Sequence, residues 1–267
     1  MNVYEIVVPG PFHRGQVRAD CRTGLRMPSD AAIRGAIERE WRRKRRRAQR
    51  DGVPLYSGRL FRVCGYALDH AGGLYLKLGD TSYKEYAGTR VPGFFQGRPR
   101  EALANPLAVC AAIVTSDSSV VIARRRNVDV AAGQYHVVGG FVERGKDGDP
   151  FAAMAREIHE ELGLTIAPDS LLCLGLIYDC LHPHYELCFS ARIDLAFAEL
   201  ARLRPAEVEM SALERIADSP EALRAFLTAQ HGVMSPTGEG CLELHVRLGW
   251  APSADWPDPS GPPDGRP

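Results

Sequence analysis

Apolar residues recur every fourth position at Ile33, Ile37 and Trp41, and again at Met154, Ile158 and Leu162. That spacing lines one face of an α-helix. Ser29-Asp30 supplies a cap for the first helix. Asp149 caps the second, Pro150 suits its first turn and Gly163 suits its C-terminal end. Elsewhere the apolar positions form short runs bounded by turn residues. Residues 60–68 and 74–78 flank Asp69-His70-Ala71-Gly72-Gly73, a hairpin signal. Residues 109–115 and 120–123 flank the polar turn 116–119, and residues 171–180 and 185–193 make a second strand pair. A short strand, 135–138, runs into Gly139-Gly140, and Ser219-Pro220 opens a helix that reaches about Gln230. The pattern divides into an N-terminal helix and hairpin region (1–102), a domain (103–250) and a tail (251–267). The tail is rich in Pro, Gly, Asp and Ser, and disorder is expected there. No internal repeat is apparent.

Composition narrows the function classes. The 267 residues carry 33 basic and 33 acidic side chains, so no global field draws the chain to nucleic acid or a membrane. Arg42-Arg43-Lys44-Arg45-Arg46-Arg47 is a local exception. Such a run can bind nucleic acid or act as a nuclear address. It is read here as a solvated helix end, where cations suit the negative end of the dipole. Seven scattered cysteines without a C-x-x-C pair read as reduced, mostly buried thiols of a cytosolic protein. Cys180, His182, His184, Glu186 and Cys188 alternate as zinc ligands on one strand face could, but Pro183 interrupts the run. No apolar stretch reaches the ~20 residues that span a bilayer, and the start lacks a basic-then-apolar signal. A cytoplasmic protein without membrane contact is expected; composition leaves the oligomeric state open.

The chemistry concentrates in residues 139–164. Glu157, Glu160 and Glu161 fall at i, i+3 and i+4 and share the helix face opposite the Met154–Ile158–Leu162 stripe. Unpaired, three carboxylates there repel one another. A hard divalent cation removes that cost, because Mg²⁺ takes carboxylate oxygens and keeps waters and substrate phosphates at its other positions. Arg156 lies beside Glu157 and four residues before Glu160, close enough to orient a carboxylate. Gly140 can expose its carbonyl and let a phosphate or metal approach. The ordinary meaning of an acidic helix face is solvation; strand, Gly-Gly and carboxylate helix in succession make a pyrophosphate-metal site instead.

This stretch resembles the box of the Nudix hydrolase family, G-x(5)-E-x(7)-R-E-U-x-E-E-x-G-U with U a bulky apolar residue. Arg156, Glu157, Ile158, Glu160, Glu161, Gly163 and Leu164 fit its end. The beginning departs. Counted from Gly140, Lys146 stands at the first glutamate, and nine residues rather than seven separate it from Arg156, the extra two falling within residues 147–149. The resemblance implies an α/β fold, a Nudix α/β/α sandwich with a mixed sheet, here extended by the N-terminal helix and β-hairpin. It implies a metal site of Gly140, Glu157, Glu160 and Glu161 holding Mg²⁺ or Mn²⁺.

Leu78-Gly79-Asp80-Thr81-Ser82-Tyr83, followed by Gly88-Thr89 and Asn105-Pro106-Leu107, narrows the likeness. With Trp41, the turn 55–58 and the hairpin, it resembles the Nudix branch that hydrolyses UDP-glucose and UDP-galactose, over roughly residues 30–215. The implied reaction is Mg²⁺-dependent hydrolysis of a UDP-sugar, a small-molecule substrate, to UMP and a sugar 1-phosphate. Tyr83 or Tyr86 then stacks on uracil, and Thr81, Ser82 and Thr89 face base or ribose. Arg124, Arg125 or Arg126 clamps phosphate oxygens. Glu157 is the first candidate for the base that deprotonates water; Glu209, then Glu186 and Glu207, are downstream candidates. Two alternatives stand beside this reading: hydrolysis of another nucleoside diphosphate derivative such as ADP-ribose, and a non-catalytic Nudix-fold ligand-binding regulator, to which Lys146 and the basic helix would belong. The intact Arg156, Glu157, Glu160 and Glu161 argue against the regulator.

Overall fold

The computed structural model describes residues 2–126, 130–203 and 210–248. The chain opens with β1 (Tyr4–Phe12), β2 (Val17–Cys21) and α1 (Ala31–Asp51). β3 (Arg59–Leu68) and β4 (Leu74–Ser82) form the hairpin, and the short helices α2 (Tyr83–Thr89) and α3 (Pro92–Phe95) follow. Then come β5 (Leu107–Val114), β6 (Ser119–Arg125), β7 (Tyr135–His136), β8 (Val138–Phe141) and α4 (Pro150–Leu162). β9 (Leu172–Asp179), β10 (His184–Arg192), α5 (Phe197–Leu203), β11 (Met210–Ala217), α6 (Pro220–Ala229) and α7 (Pro236–Leu248) complete it.

Local chemistry sets the helix ends as the sequence implied. Asp30 accepts from the Ile33 amide (2.8 Å) and starts α1; Gly52, at φ 67°, ends it. Asp149 accepts from the Phe151 and Ala152 amides, and Gly163 closes α4 at φ 72°. The hairpin turn is held by Asp69, which accepts from the Ala71 and Gly73 amides.

An eight-stranded mixed sheet runs β1-β9-β10-β5-β6-β11, with β7 on β6 and β8 on β5. β10 and β5 are parallel; β1–β9, β9–β10, β5–β8 and β6–β11 are antiparallel. On one face, Met154, Ile158 and Leu162 of α4 pack with Val109, Ala111 and Phe189 and with Leu74, Leu76 and Leu78 of the hairpin. On the other, Leu223 of α6 and Cys241, Leu242 and Leu244 of α7 cover Cys110, Ala112 and Ile122. Two helical layers thus enclose the sheet, the α/β/α sandwich. A smaller sheet, β2-β4-β3, is joined to it by bridges from Leu60 to Glu143 and from Arg62 to Pro106. No helix among the described residues is long and apolar enough to cross a membrane.

Three expectations change. The break at residue 102 is not a seam in packing, because β1 pairs with β9 inside the large sheet and buries Val8 and Phe12 in its core. Gly139 and Gly140 lie within β8 rather than after a strand: a Cβ on Gly139 would sit 2.4 Å from the Val109 carbonyl oxygen, so glycine is what lets β8 lie against β5. The interrupted run from 180 to 188 splits in the same way, since β10 begins at His184, after Cys180 and His182. The tail 251–267 lies outside the described residues, as do Glu207 and Glu209.

Candidate active site

The carboxylate face of α4 borders a cleft of about 590 Å³. Glu157, Glu160 and Glu161 line it together with Gly140 from β8. Glu157 and Glu161 are buried, whereas the Glu160 side chain is half exposed. Gly140 and the Glu157 carboxylate are closely apposed: a Cβ at 140 would meet Glu157 Oε1 at 2.3 Å and displace that carboxylate.

Arg156 holds this face in place. Its Nη1 donates to Glu157 Oε1 (2.8 Å) and to Glu160 Oε2 (3.0 Å). Its Nε and Nη2 donate to the two oxygens of Asp147 at 2.8 and 2.9 Å, and Nη2 also reaches the Phe141 carbonyl at 3.1 Å. Every side of the guanidinium meets a protein acceptor, so Arg156 orients the carboxylates, as its place beside Glu157 and before Glu160 implied. Asp147 also accepts from the Glu143 amide at 2.7 Å. The carboxylate that anchors Arg156 therefore sits one residue after Lys146. Lys146 itself points into the cleft and pairs with Glu143 at 2.8 Å. Asp147 escaped sequence reasoning because the box spacing places its glutamate at 146.

The donor set fits a hard divalent ion: carboxylate oxygens of Glu157, Glu160 and Glu161, and the carbonyl of a glycine tight against Glu157. It is an open face rather than a closed cage. Among the described residues, the one acidic, His or Cys trio with ligand atoms all within 4.8 Å of one another is Cys110, Cys188 and Cys241, in the core. An open carboxylate face suits an ion that keeps waters and phosphate oxygens.

A polar cluster also lines the cleft: His136, Asp179, His184, Glu186, Ser235 and Thr237. His184 donates from Nδ1 to the His182 carbonyl and from Nε2 to Glu186 Oε2 (3.1 Å), an arrangement that requires the imidazolium. Burial opposes that charge, but Glu186 and Asp179 outweigh it and raise the His184 pKa. Burial likewise works to raise the Glu186 carboxyl, but the His184 hydrogen bond and His136 bring it down to about 2. His136, desolvated and near Arg125, is lowered to about 3 and stays neutral, with Nδ1 2.6 Å from Ser235 Oγ. The alternation His184-x-Glu186 was visible in the sequence only as part of a zinc pattern.

The residues expected to hold the nucleotide scatter. Tyr83 lines the cleft and packs edge-on against Trp41, Tyr86 and Phe141. Tyr86 is fully buried among Phe141 and His184 and offers no face for stacking. Thr81 and Thr89 are buried too, and the Thr89 hydroxyl accepts from the Ala104 amide. Ser82 is spent on capping α2, accepting from the Glu85 amide. Arg125 lines the cleft and donates to the Val130 carbonyl, while Arg124 lies over the Tyr135 ring at 4.0 Å, outside the lining. Arg43, Lys44 and Arg47 of α1, expected at a solvated helix end, line the cleft instead.

Residues 104–230 match the model of the NUDIX domain. The matched segment has the Nudix fold. Comparison with curated proteins gives no match. Among solved structures, the NUDIX domain of NrtR from Shewanella oneidensis, complexed with ADP ribose, shares 14% identity over 58% of this chain and 96% of its own, with a TM-score of 0.41. A Deinococcus radiodurans protein shares 24% identity over 54% and 83%, TM-score 0.39. A NUDIX hydrolase from Nitrosomonas europaea shares 16% over 53% and 88%, TM-score 0.39. At these scores the likeness decides nothing about the ligand. The matched segment is extended by β1 and α1, which lie before it and yet add to its sheet and line its cleft.

Proposed function

We propose that this protein hydrolyses the pyrophosphate bond of a nucleoside diphosphate derivative with a divalent cation. The observation that carries the reading is the Arg156-anchored face of Glu157, Glu160 and Glu161 against Gly140, in a cleft also lined by the cationic Arg43, Lys44 and Arg47. When bound on that face, Mg²⁺ or Mn²⁺ neutralises the pyrophosphate and makes water more acidic. Arg43, Lys44, Arg47 and Arg125, which line the same cleft, present positive charge to the phosphate oxygens. Glu157 remains the candidate to take the proton from water. Glu186, held near 2, is a weak proton acceptor and serves better as fixed negative charge.

UDP-sugar is the first substrate reading, resting on the Thr81-Ser82-Tyr83 motif and on Tyr83 at the cleft. A second reading, another derivative such as ADP-ribose, is favoured by the burial of Thr81, Tyr86 and Thr89, which leaves little of that motif to select a base. A panel of nucleoside diphosphate sugars and ADP-ribose, with Mg²⁺ and with chelator, ranks the two. Glu160→Gln and Glu161→Gln are expected to remove most activity without unfolding the protein, since each deletes a ligand charge and keeps side-chain volume. Near-normal turnover of either variant would defeat the ligand assignment.

A further inference from the structure

Helix α1 carries nine basic and three acidic residues, a local charge of +6 on a chain whose net charge is zero. Its packing decides where that charge points. Ile37 and Trp41 are buried toward α2, Lys44 and Ala48 are half-buried behind them, and the arginines turn outward. Arg43, Lys44 and Arg47 enter the catalytic cleft. On the outer side of the same helix, Arg39, Arg42, Arg43, Arg46, Arg47 and Arg50 line a second, open groove of about 600 Å³. Arg43 and Arg47 belong to both, so one cationic track runs from the acidic helix α4 out along the surface. From Arg39 to Arg50 it spans roughly 16 Å at ~1.5 Å per residue. Glu38, Glu40 and Asp51 pair with Arg42, Arg43, Arg47 and Arg50 and neutralise only part of it.

A nucleotide sugar has two phosphates, and both belong at the metal face. Six guanidiniums leading away from that face exceed what it can use. Tyr56, an exposed aromatic (68% accessible) on the link between α1 and β3, stands on the cleft lining beside this wall. Arginines tracking a backbone with an aromatic ring for a base is the physical make-up of a single-strand binding groove. We propose that α1 binds single-stranded nucleic acid and leads its 5′-phosphorylated end into the cleft, where the terminal anhydride is the bond to be cleaved. The delivery step rests on the hydrolase reading; the binding does not. The cleavage balances as hydrolysis: water adds across one P–O–P linkage, leaving a shortened 5′ phosphate on the strand and a released phosphate or pyrophosphate.

The test uses the full chain and a labelled single-stranded RNA of about ten nucleotides, with either a 5′-triphosphate or a 5′-hydroxyl. Arg39→Gln/Arg46→Gln/Arg50→Gln removes three charges from the outer groove and none from the cleft lining. Anisotropy titrations of the 5′-hydroxyl RNA should show binding that weakens with salt. The variant should bind about tenfold or more weakly, with a log–log salt slope flatter by about 2, the value for three lost phosphate contacts on a single strand. In Mg²⁺, its kcat/KM on triphosphate RNA should fall about tenfold while nucleotide-sugar turnover stays within about twofold. Equal RNA binding by variant and wild type overturns the proposal, and so does a parallel loss of nucleotide-sugar turnover. If wild type binds RNA through these arginines but hydrolyses no nucleoside diphosphate derivative or triphosphate RNA, the track stands and the hydrolase reading fails.

Discussion

Asp147→Asn separates the anchor of Arg156 from the residue that occupies the box position. The Asp147 side chain is 2% exposed and accepts two guanidinium bonds and one amide bond, all shorter than 3 Å. Asparagine keeps the shape but loses the charge and turns one acceptor into a donor facing Arg156. Breaking a buried pair typically costs about 3–5 kcal/mol. Arg156 keeps Glu157 and Glu160, so no uncompensated charge is left, and about 2–3 kcal/mol is expected. Because Glu157 and Glu160 are oriented through Arg156, turnover should fall about tenfold to a hundredfold, roughly 1.4–2.7 kcal/mol on the barrier. Lys146→Glu, by contrast, breaks an exposed pair with Glu143, worth about 1 kcal/mol at most, and should change turnover by less than about tenfold. Urea denaturation and steady-state kinetics in Mg²⁺ on each variant and on the double variant read both effects. If Asp147→Asn is neutral in both assays while Lys146→Glu abolishes activity, position 146 carries the site and the anchoring argument is wrong. Rescue of Asp147→Asn by adding Lys146→Glu would show that the glutamate position of the family box can still reach Arg156.

The two tyrosines of the 79–89 segment should behave differently. Tyr83→Ala should raise KM for the preferred nucleotide while the fold holds, whereas Tyr86→Ala should cost about 3–5 kcal/mol of stability as a fully buried aromatic; equal KM effects with unchanged melting would contradict the assignment. Acid should destabilise the fold. His136, at about 3 in the fold against 6.5 unfolded, refuses a proton that the unfolded chain accepts, so stability falls by about 1.4 kcal/mol per pH unit as pH drops below 6.5. Glu186, at about 2 against 4.5, adds the same sign of slope below 4.5, while the raised His184 costs stability only as pH climbs above 6.5. A urea midpoint that does not move between pH 7 and 4.5 would remove this account, and His136→Gln should flatten the upper part of the curve.

What the sequence disclosed was what local chemistry decides. The caps and stripe of α4 are fixed within a few residues, so Asp149, Gly163 and Met154–Ile158–Leu162 could be read directly. The hairpin and the start of α1 were legible for the same reason. Tyr86 was not, because whether an aromatic in a polar motif faces a ligand or the core depends on Phe141 and His184, which are distant in sequence. Asp147 was hidden by a loop two residues longer than the family spacing. The six basic residues from 42 to 47 looked like a solvated helix end because a run of charge does not say which flank faces the cleft. Burial of Trp41 settles that, and it is a long-range fact.

The N-terminal region bears on the same question of what is long-range. A segment starting at residue 103 contains the matched domain, the carboxylate helix and the buried His136–Glu186 cluster. It lacks β1, which covers the edge of β9, and α1, which forms the cationic wall. Without β1, the β9 edge presents unpaired amides and carbonyls, a template for aggregation. Loss of Val8 and Phe12 from the core removes about 1.5–3 kcal/mol for each side chain. The hairpin contribution of Leu74, Leu76 and Leu78 disappears with them, exposing the side of the core they cover. Against a typical domain stability of about 5–15 kcal/mol, these losses leave little margin. Residues 103–250 expressed alone should therefore aggregate or melt far below the full chain, and any soluble fraction should turn over nucleotide substrates poorly because one wall of the cleft is gone. A soluble, monomeric fragment with the full chain's activity would show instead that β1, α1 and the hairpin are accessories to a self-sufficient C-terminal domain.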